Sequence, residues 1–166
     1  GVSSWRERLG TKQKKRIGVV WSGAPGHKDD INRSIYLGEL VSIMDDSFEW
    51  HSLQKEYRPD DWDVLKNSPQ IHQHQEDLKD FLDTAALIEC MDLVITVDTS
   101  VAHLAGALGK PVWIMLSKLP DFRWLLGRKD SPWYASARLY RQEEKGDWTS
   151  VLSAIATSLP GANIST

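Results

Sequence analysis

The chain has one cysteine in 166 residues, Cys90. No internal disulfide can hold it together, and a lone thiol suits a reducing cytosol. No apolar run approaches the roughly 20 residues that a membrane helix needs. Arg6, Glu7 and Arg8 interrupt the start, where a secretory signal would be apolar. A cytoplasmic location is therefore expected. Charge of one sign is scarce too: a net charge of −3 provides no global attraction for nucleic acid or a membrane surface. There is no internal repeat and no low-complexity tract. Gly-Lys-Ser/Thr does not follow the glycine-rich loop, which excludes a nucleotide-hydrolase phosphate loop. G-x-G-x-x-G and G-x-S-x-G are also missing, which argues against dinucleotide dehydrogenases and serine hydrolases.

What is present reads as one soluble globule. Hydrophobic residues make up 41% and charged residues 26%, enough to bury a real core. Eight tryptophans are many for this length. Trp62, Trp124, Trp133 and Trp148 lie near charges or prolines, so they either close loops over this domain or cover a surface that faces another one. Cys90, beside Met91, is expected to be a buried structural thiol.

Residues 1–15 read as a lead-in arm, helical or loose, around Trp5 and Leu9, and 16–166 as the folded domain. The basic run at 12–16 is a solvated approach to a first strand. Ile17-Gly18-Val19-Val20-Trp21 is that strand. It enters Ser22-Gly23-Ala24-Pro25-Gly26-His27-Lys28, too rich in Gly and Pro for helix. A helix is predicted over 37–44, a strand over 48–53, one helical turn near 62–65 and a short strand near Ile71. A helix follows over 84–91, with Asp83 as its N-cap. Leu93–Val97 and Val112–Leu116 are continuous apolar strands around a small-residue helix over 100–108. Gly109 and Pro111 end that helix. A strand near Leu139 and a helix over 148–159 complete the chain. Strands alternating with helices imply an α/β, three-layer Rossmann-like open parallel sheet, covered on both faces.

In such sheets ligands sit at the carboxyl ends of strands, against helix N-termini. Asp98-Thr99-Ser100-Val101-Ala102-His103 occupies that place. The first amides of a helix lack internal partners and carry partial positive charge, and Thr99 or Ser100 adds a hydroxyl, so the stretch suits a phosphate or diphosphate. His103 lies one turn on, able to reach a phosphate or a sugar hydroxyl, and Asp98 would accept from sugar hydroxyls. The same residues read equally well as a plain N-cap and a satisfied histidine. After the first strand, Ser22, Gly23 and Gly26 offer backbone amides, while Lys28 and Arg33 supply positive charge for a diphosphate. Gln54 and Lys55 close the second strand at the same edge. His27, His51, His72 and His74 show no metal spacing, with His72 and His74 expected on opposite faces of a strand. No metal is expected.

Five blocks carry a resemblance: 20–28 with Asn32-Arg33-Ser34, Ser52-Leu53-Gln54-Lys55, 80–88, 97–113, and 124–134. In this order they resemble the C-terminal half of glycosyltransferases of the lipopolysaccharide heptosyltransferase-like type (glycosyltransferase family 9), closest to bacterial versions attached to tetratricopeptide repeats. The resemblance spans about residues 16–159. It implies one half of a GT-B architecture, in which two Rossmann-like domains face across a cleft and the C-terminal one binds a nucleotide sugar. Carried over by position, Ser22, Gly23 and Lys28 would meet the diphosphate, and Gln54 and Lys55 would lie near the nucleotide. Asp98 would contact the sugar, and Thr99, Ser100 and His103 the phosphate end. The resemblance implies inverting transfer with no cofactor or metal, because cationic side chains and a helix start stabilise the departing nucleoside diphosphate. The chain has no room for the acceptor domain, which carries the base in heptosyltransferases, so transfer by this chain alone is not expected. The alternative is a non-catalytic module that uses the fold for protein contact in a repeat-containing scaffold.

Overall fold

A computed structural model describes residues 1–23, 33–118 and 135–161. The expectations that fall on His27, Lys28, Trp124, Trp133 and Tyr134 lie outside these residues.

Among the described residues six parallel strands form one sheet: β1 (Lys15–Val20), β2 (Phe48–Ser52), β3 (Ile71–His72), β4 (Leu93–Val97), β5 (Val112–Leu116) and β6 (Ala137–Arg141). The spatial order is β3-β2-β1-β4-β5-β6. The apolar runs become the interior strands because a parallel sheet buries both faces and tolerates no polar stripe. β1, β4 and β5 are accordingly buried almost throughout.

The side-chain alternation of each strand divides the core in two. Ile17, Val19, Leu93, Ile95, Trp113 and Met115 face one layer. It contains α2 (Leu37–Leu40), α3 (Pro59–Lys66) and α6 (Thr149–Ser158). Val20, Val94, Val112, Ile114 and Leu116 face the other. That layer contains α1 (Val2–Leu9), α4 (Phe81–Glu89) and α5 (Ser100–Ala107). This is the three-layer α/β architecture expected from the sequence.

Several boundaries differ from expectation for local reasons. The arm is a docked helix: Trp5 is buried in the second core, Arg8 pairs with Asp77 (2.7 Å), and Lys12 pairs with the buried Asp92 (2.6 Å). The turn near Trp62 is a full helix, started by Pro59 and by Asp61, whose carboxylate accepts from the Arg58 amide (2.9 Å). α4 begins earlier than expected because Asp80, not Asp83, is its N-cap. Asp80 accepts from the Asp83 amide (2.9 Å), and Asp83 reaches back to the amides of Lys79 and Asp80, a reciprocal capping box. α5 ends as expected, at Gly109 with φ of 71°. Cys90 follows α4, half-buried, and burial raises its thiol pKa, which fits an inert role. Trp62 is half-exposed, whereas Trp148 is buried with its indole N–H donating to the Ser34 carbonyl (3.2 Å).

Candidate functional site

In the order β3-β2-β1-β4-β5-β6 the chain leaves β1 toward one side of the sheet and β4 toward the other. Between those two strands the connections part and open a crevice. A cleft of about 210 Å³ lies there, lined by Ser22 and Gly23 after β1, by Leu53 to Glu56 after β2, and by Thr99, Ser100, Val101 and Leu104 of α5. Phe81 and Thr84 of α4 close one side.

The loop after β1 is held from four directions. The amides of Trp21 and Ser22 both donate to Gln54 Oε1 (2.9 and 3.0 Å), and the Ile35 amide donates to the Trp21 carbonyl (2.8 Å). The Trp21 indole donates to the buried Asp61 (3.0 Å). Tyr57 stacks on that indole at 5.9 Å, and burial lifts the Tyr57 phenol to about 12. Gln54 Nε2 in turn donates to the Glu56 carbonyl (3.2 Å). Gln54 therefore braces the loop, and the Ser22 amide, expected to be open to a ligand, is taken up by it. Sequence reading passed over Asp61 and Tyr57 because they act through Trp21, about 40 residues away. It also missed the apolar wall of Leu53, Phe81, Val101 and Leu104, because these residues read simply as core.

On the other side Thr99 is the N-cap of α5, in extended backbone (φ −139°, ψ 175°). Its hydroxyl lies 3.2 Å from that of Thr96. Ala102 already donates back to Thr99 (3.0 Å), leaving the Ser100 and Val101 amides as the first-turn donors without an intrahelical acceptor. Arg33 links the two halves: its Nη1 donates to the Asp98 carbonyl (2.9 Å). Its guanidinium also lies so close to Gly23 that a Cβ there would stand 2.2 Å from Nη2 and would displace the arginine head. His103 Nε2 lies 3.9 Å from Asp98 Oδ1, beside the cleft and not on its wall. Ser22, Gly23, Gln54, Lys55, Thr99 and Ser100 thus share one cleft, with Arg33, Asp98 and His103 adjoining.

Residues 79–116, which contain α4, β4, α5 and β5, match the family Glycosyltransferase family 9 (heptosyltransferase). The structure of E. coli ADP-heptose lps heptosyltransferase II superposes with a TM-score of 0.65 at 17% identity, over 96% of this chain. The fold is glycosyltransferase-like. The chain spans 50% of that solved chain. It is also 38% identical over 84 residues to Protein FlbA of Caulobacter vibrioides, covering 50% of this chain and 14% of FlbA. Among the described residues no helix is long and apolar enough to cross a membrane.

A second group of polar residues lies outside the cleft of this glycosyltransferase-like fold. Glu49 and His51 are two apart on β2, and His51 is in register with His72 on β3. His51 Nε2 is 3.0 Å from Glu49 Oε2, its Nδ1 is 2.9 Å from His74 Nε2, and Arg16 Nε donates to Glu49 Oε2 (2.6 Å). His72 and His74 both stack on His51, at 4.7 and 5.2 Å. The expectation of opposite faces on a strand fails because β3 ends at His72, and the chain beyond it brings His74 back against His51. The spacing argument against a metal falls with it. Burial pushes both His51 and His74 down to about 4. Burial alone would raise the Glu49 carboxyl, but hydrogen bonds from His51 and Arg16 outweigh it and hold the group below its ordinary value.

Proposed function

We propose that this chain is the donor-binding domain of an inverting, metal-independent glycosyltransferase, holding the diphosphate of a nucleotide sugar against the first turn of α5. The observation that carries this reading is the meeting of the Ser22-Gly23 turn, Lys55 and the Thr99-Ser100 helix start in one cleft. The family match over 79–116 supports it, because that stretch contains the helix start.

A departing nucleoside diphosphate gains negative charge as its bond to the anomeric carbon breaks and the acceptor oxygen bonds to the opposite face of that same carbon. Amides and cations already aimed at that place lower the barrier without reorganising. The Ser100 and Val101 amides, Arg33 and Lys55 supply the charge complement, and the resemblance assigns Lys28 to the same diphosphate. Asp98 and His103 orient the sugar, and Gln54 keeps the β1 turn in position. Leu53, Phe81, Val101 and Leu104 form an apolar wall for the uncharged part of the nucleotide. The acceptor and the catalytic base come from a second domain, so this chain by itself binds donor and does not transfer it. Tetratricopeptide-repeat neighbours and a cytoplasmic setting belong to the same proposal.

Calorimetry with ADP, UDP and GDP tests it. At least one of them binds, and Lys28→Ala and Arg33→Ala each weaken that binding about tenfold or more, since a charged hydrogen bond contributes roughly 1.5–3 kcal/mol. No binding of any of the three at millimolar concentration overturns the reading and favours a non-catalytic protein-contact module.

A further inference from the structure

We propose that Glu49, His51 and His72 form a binding site for a divalent transition-metal ion, zinc foremost, at the β3 side of the sheet face covered by α1 and α4. No residue of this site lines the cleft, and the inference stands independently of the nucleotide-sugar reading.

The placement follows from strand geometry. Residues two apart on one strand project from the same face, and an in-register partner on the next strand stands beside them. Glu49, His51 and His72 meet that rule on adjacent parallel strands. Each offers one ligand atom, and the three atoms lie within 4.8 Å of one another. An ion with bonds of about 2 Å to nitrogen and carboxylate oxygen bridges atoms at such separations after small side-chain rotations.

The surroundings are those of a supported site. A metal-bound histidine ordinarily donates its other ring N–H to a fixed acceptor, and a ligating carboxylate is itself held by a hydrogen bond. His51 has His74 Nε2 at 2.9 Å from Nδ1, and Glu49 Oε2 has Arg16 Nε at 2.6 Å. Arg16 is anchored in turn by the carbonyls of Leu9 and Gly10 (3.3 and 3.1 Å). Glu49 Oε1 remains directed toward His72 Nε2, 4.0 Å away.

Without metal, His74 Nε2–H donates to His51 Nδ1, and His51 Nε2–H donates to Glu49. On binding, both rings exchange tautomer: His51 Nδ1–H donates to His74 Nε2, and His51 Nε2 turns its lone pair to the ion. No net proton is lost. His51 and His72 stack with an interplanar angle of 22°, and an ion must lie in the plane of both rings. His72 makes the adjustment, since its side chain is 51% exposed while that of His51 is 1% exposed. The same exposure provides the entry path and a place for a bound water. A mixed imidazole and carboxylate set with one open position matches zinc chemistry.

The tag-free chain, stripped with a chelator, is titrated with Zn²⁺ by calorimetry and with Co²⁺ by visible spectroscopy. One ion binds per chain, and the cobalt form shows the intense d–d bands of a low-coordinate ion. Losing a supporting residue around a metal ordinarily weakens binding about 10–100-fold, so His72→Ala, which removes a ligand, weakens it about 100-fold or more. Its melting temperature without metal stays unchanged, because His72 is solvent-exposed. His72→Cys restores binding and adds a thiolate-to-cobalt charge-transfer band, a signature a merely structural residue would not produce. The proposal is overturned by absence of stoichiometric binding, by His72→Ala affinity within about threefold of the parent, or by a cobalt-loaded His72→Cys protein without that band.

Discussion

Gln54 shows how a residue at a candidate site can act through backbone. Its single carbonyl oxygen serves two buried amides of a turn 32 and 33 positions earlier. Gln54→Leu keeps the bulk and removes the acceptor, leaving both donors buried and unsatisfied. Urea unfolding is expected to show a loss of about 1–3 kcal/mol per orphaned amide, while Gln54→Glu, which keeps an acceptor there, loses less. His51 and His74 make stability pH-dependent. Their folded pKa values of about 4 lie below the ordinary 6.5. The unfolded chain therefore binds more protons between those values, and stability rises with pH across that window. The melting temperature of the metal-free protein is expected to be flat above pH 6.5 and to fall as pH drops toward about 4. His51→Asn flattens that slope, whereas an unchanged slope would assign the effect to other groups. Both contributions were invisible in the sequence, where Gln54 read as a ligand contact and the histidines as scattered. Each depends on partners that only the strand order brings within 3 Å.

At the scale of elements, α5 was the most legible part of the chain. Its N-cap, its run of small residues and its terminating Gly109 and Pro111 are all local signals, and local signals survive folding unchanged. α4 was less so, because Asp80 and Asp83 both suit an N-cap and only the reciprocal bonds distinguish their roles. Asp80→Ala is expected to destabilise by about 1 kcal/mol in thermal or urea unfolding, and Asp83→Ala by less. Gly18 couples β1 to the cleft. A Cβ at this position would stand 2.7 Å from Leu53 Cδ1 and 3.1 Å from Met91 Cγ. Gly18→Val thus overpacks a fully buried contact and is expected to lower stability by about 1–3 kcal/mol. Leu53 also lines the cleft, so the displacement weakens nucleotide binding in calorimetry as well. Nucleotide affinity that stays at the parent value would show that Leu53 does not shape the ligand seat.

For the whole molecule, the decisive feature is that consecutive βα units diverge on either side of β1 and β4. That divergence places the Ser22-Gly23 turn and the α5 start, separated by some 75 positions in sequence, on one cleft. Large apolar side chains are exposed near the same edge: Tyr36, Trp62, Phe81 and Leu82. They lie at or within the first turns of α2, α3 and α4, and Phe81 also lines the cleft. A ligand seated there links the β1 turn to α5 and stabilises the folded state by mass action. A nucleotide at about 100 times its dissociation constant is expected to stabilise by about 2.7 kcal/mol, read as a concentration-dependent rise in melting temperature. No rise with a nucleotide that calorimetry shows to bind would mean the ligand also binds the unfolded chain.

The sequence by itself determined the class of fold, the buried strands and the start and end of α5. Apolar runs, small-residue spacing and helix punctuation act over a few residues and need no distant partner. Tertiary structure alone decided that Gln54 braces the turn after β1, that Arg33 joins the two strand ends, and that Glu49, His51, His72 and His74 meet. Those relations depend on strand order and register, which parallel crossovers set across long stretches of chain and which no local pattern encodes.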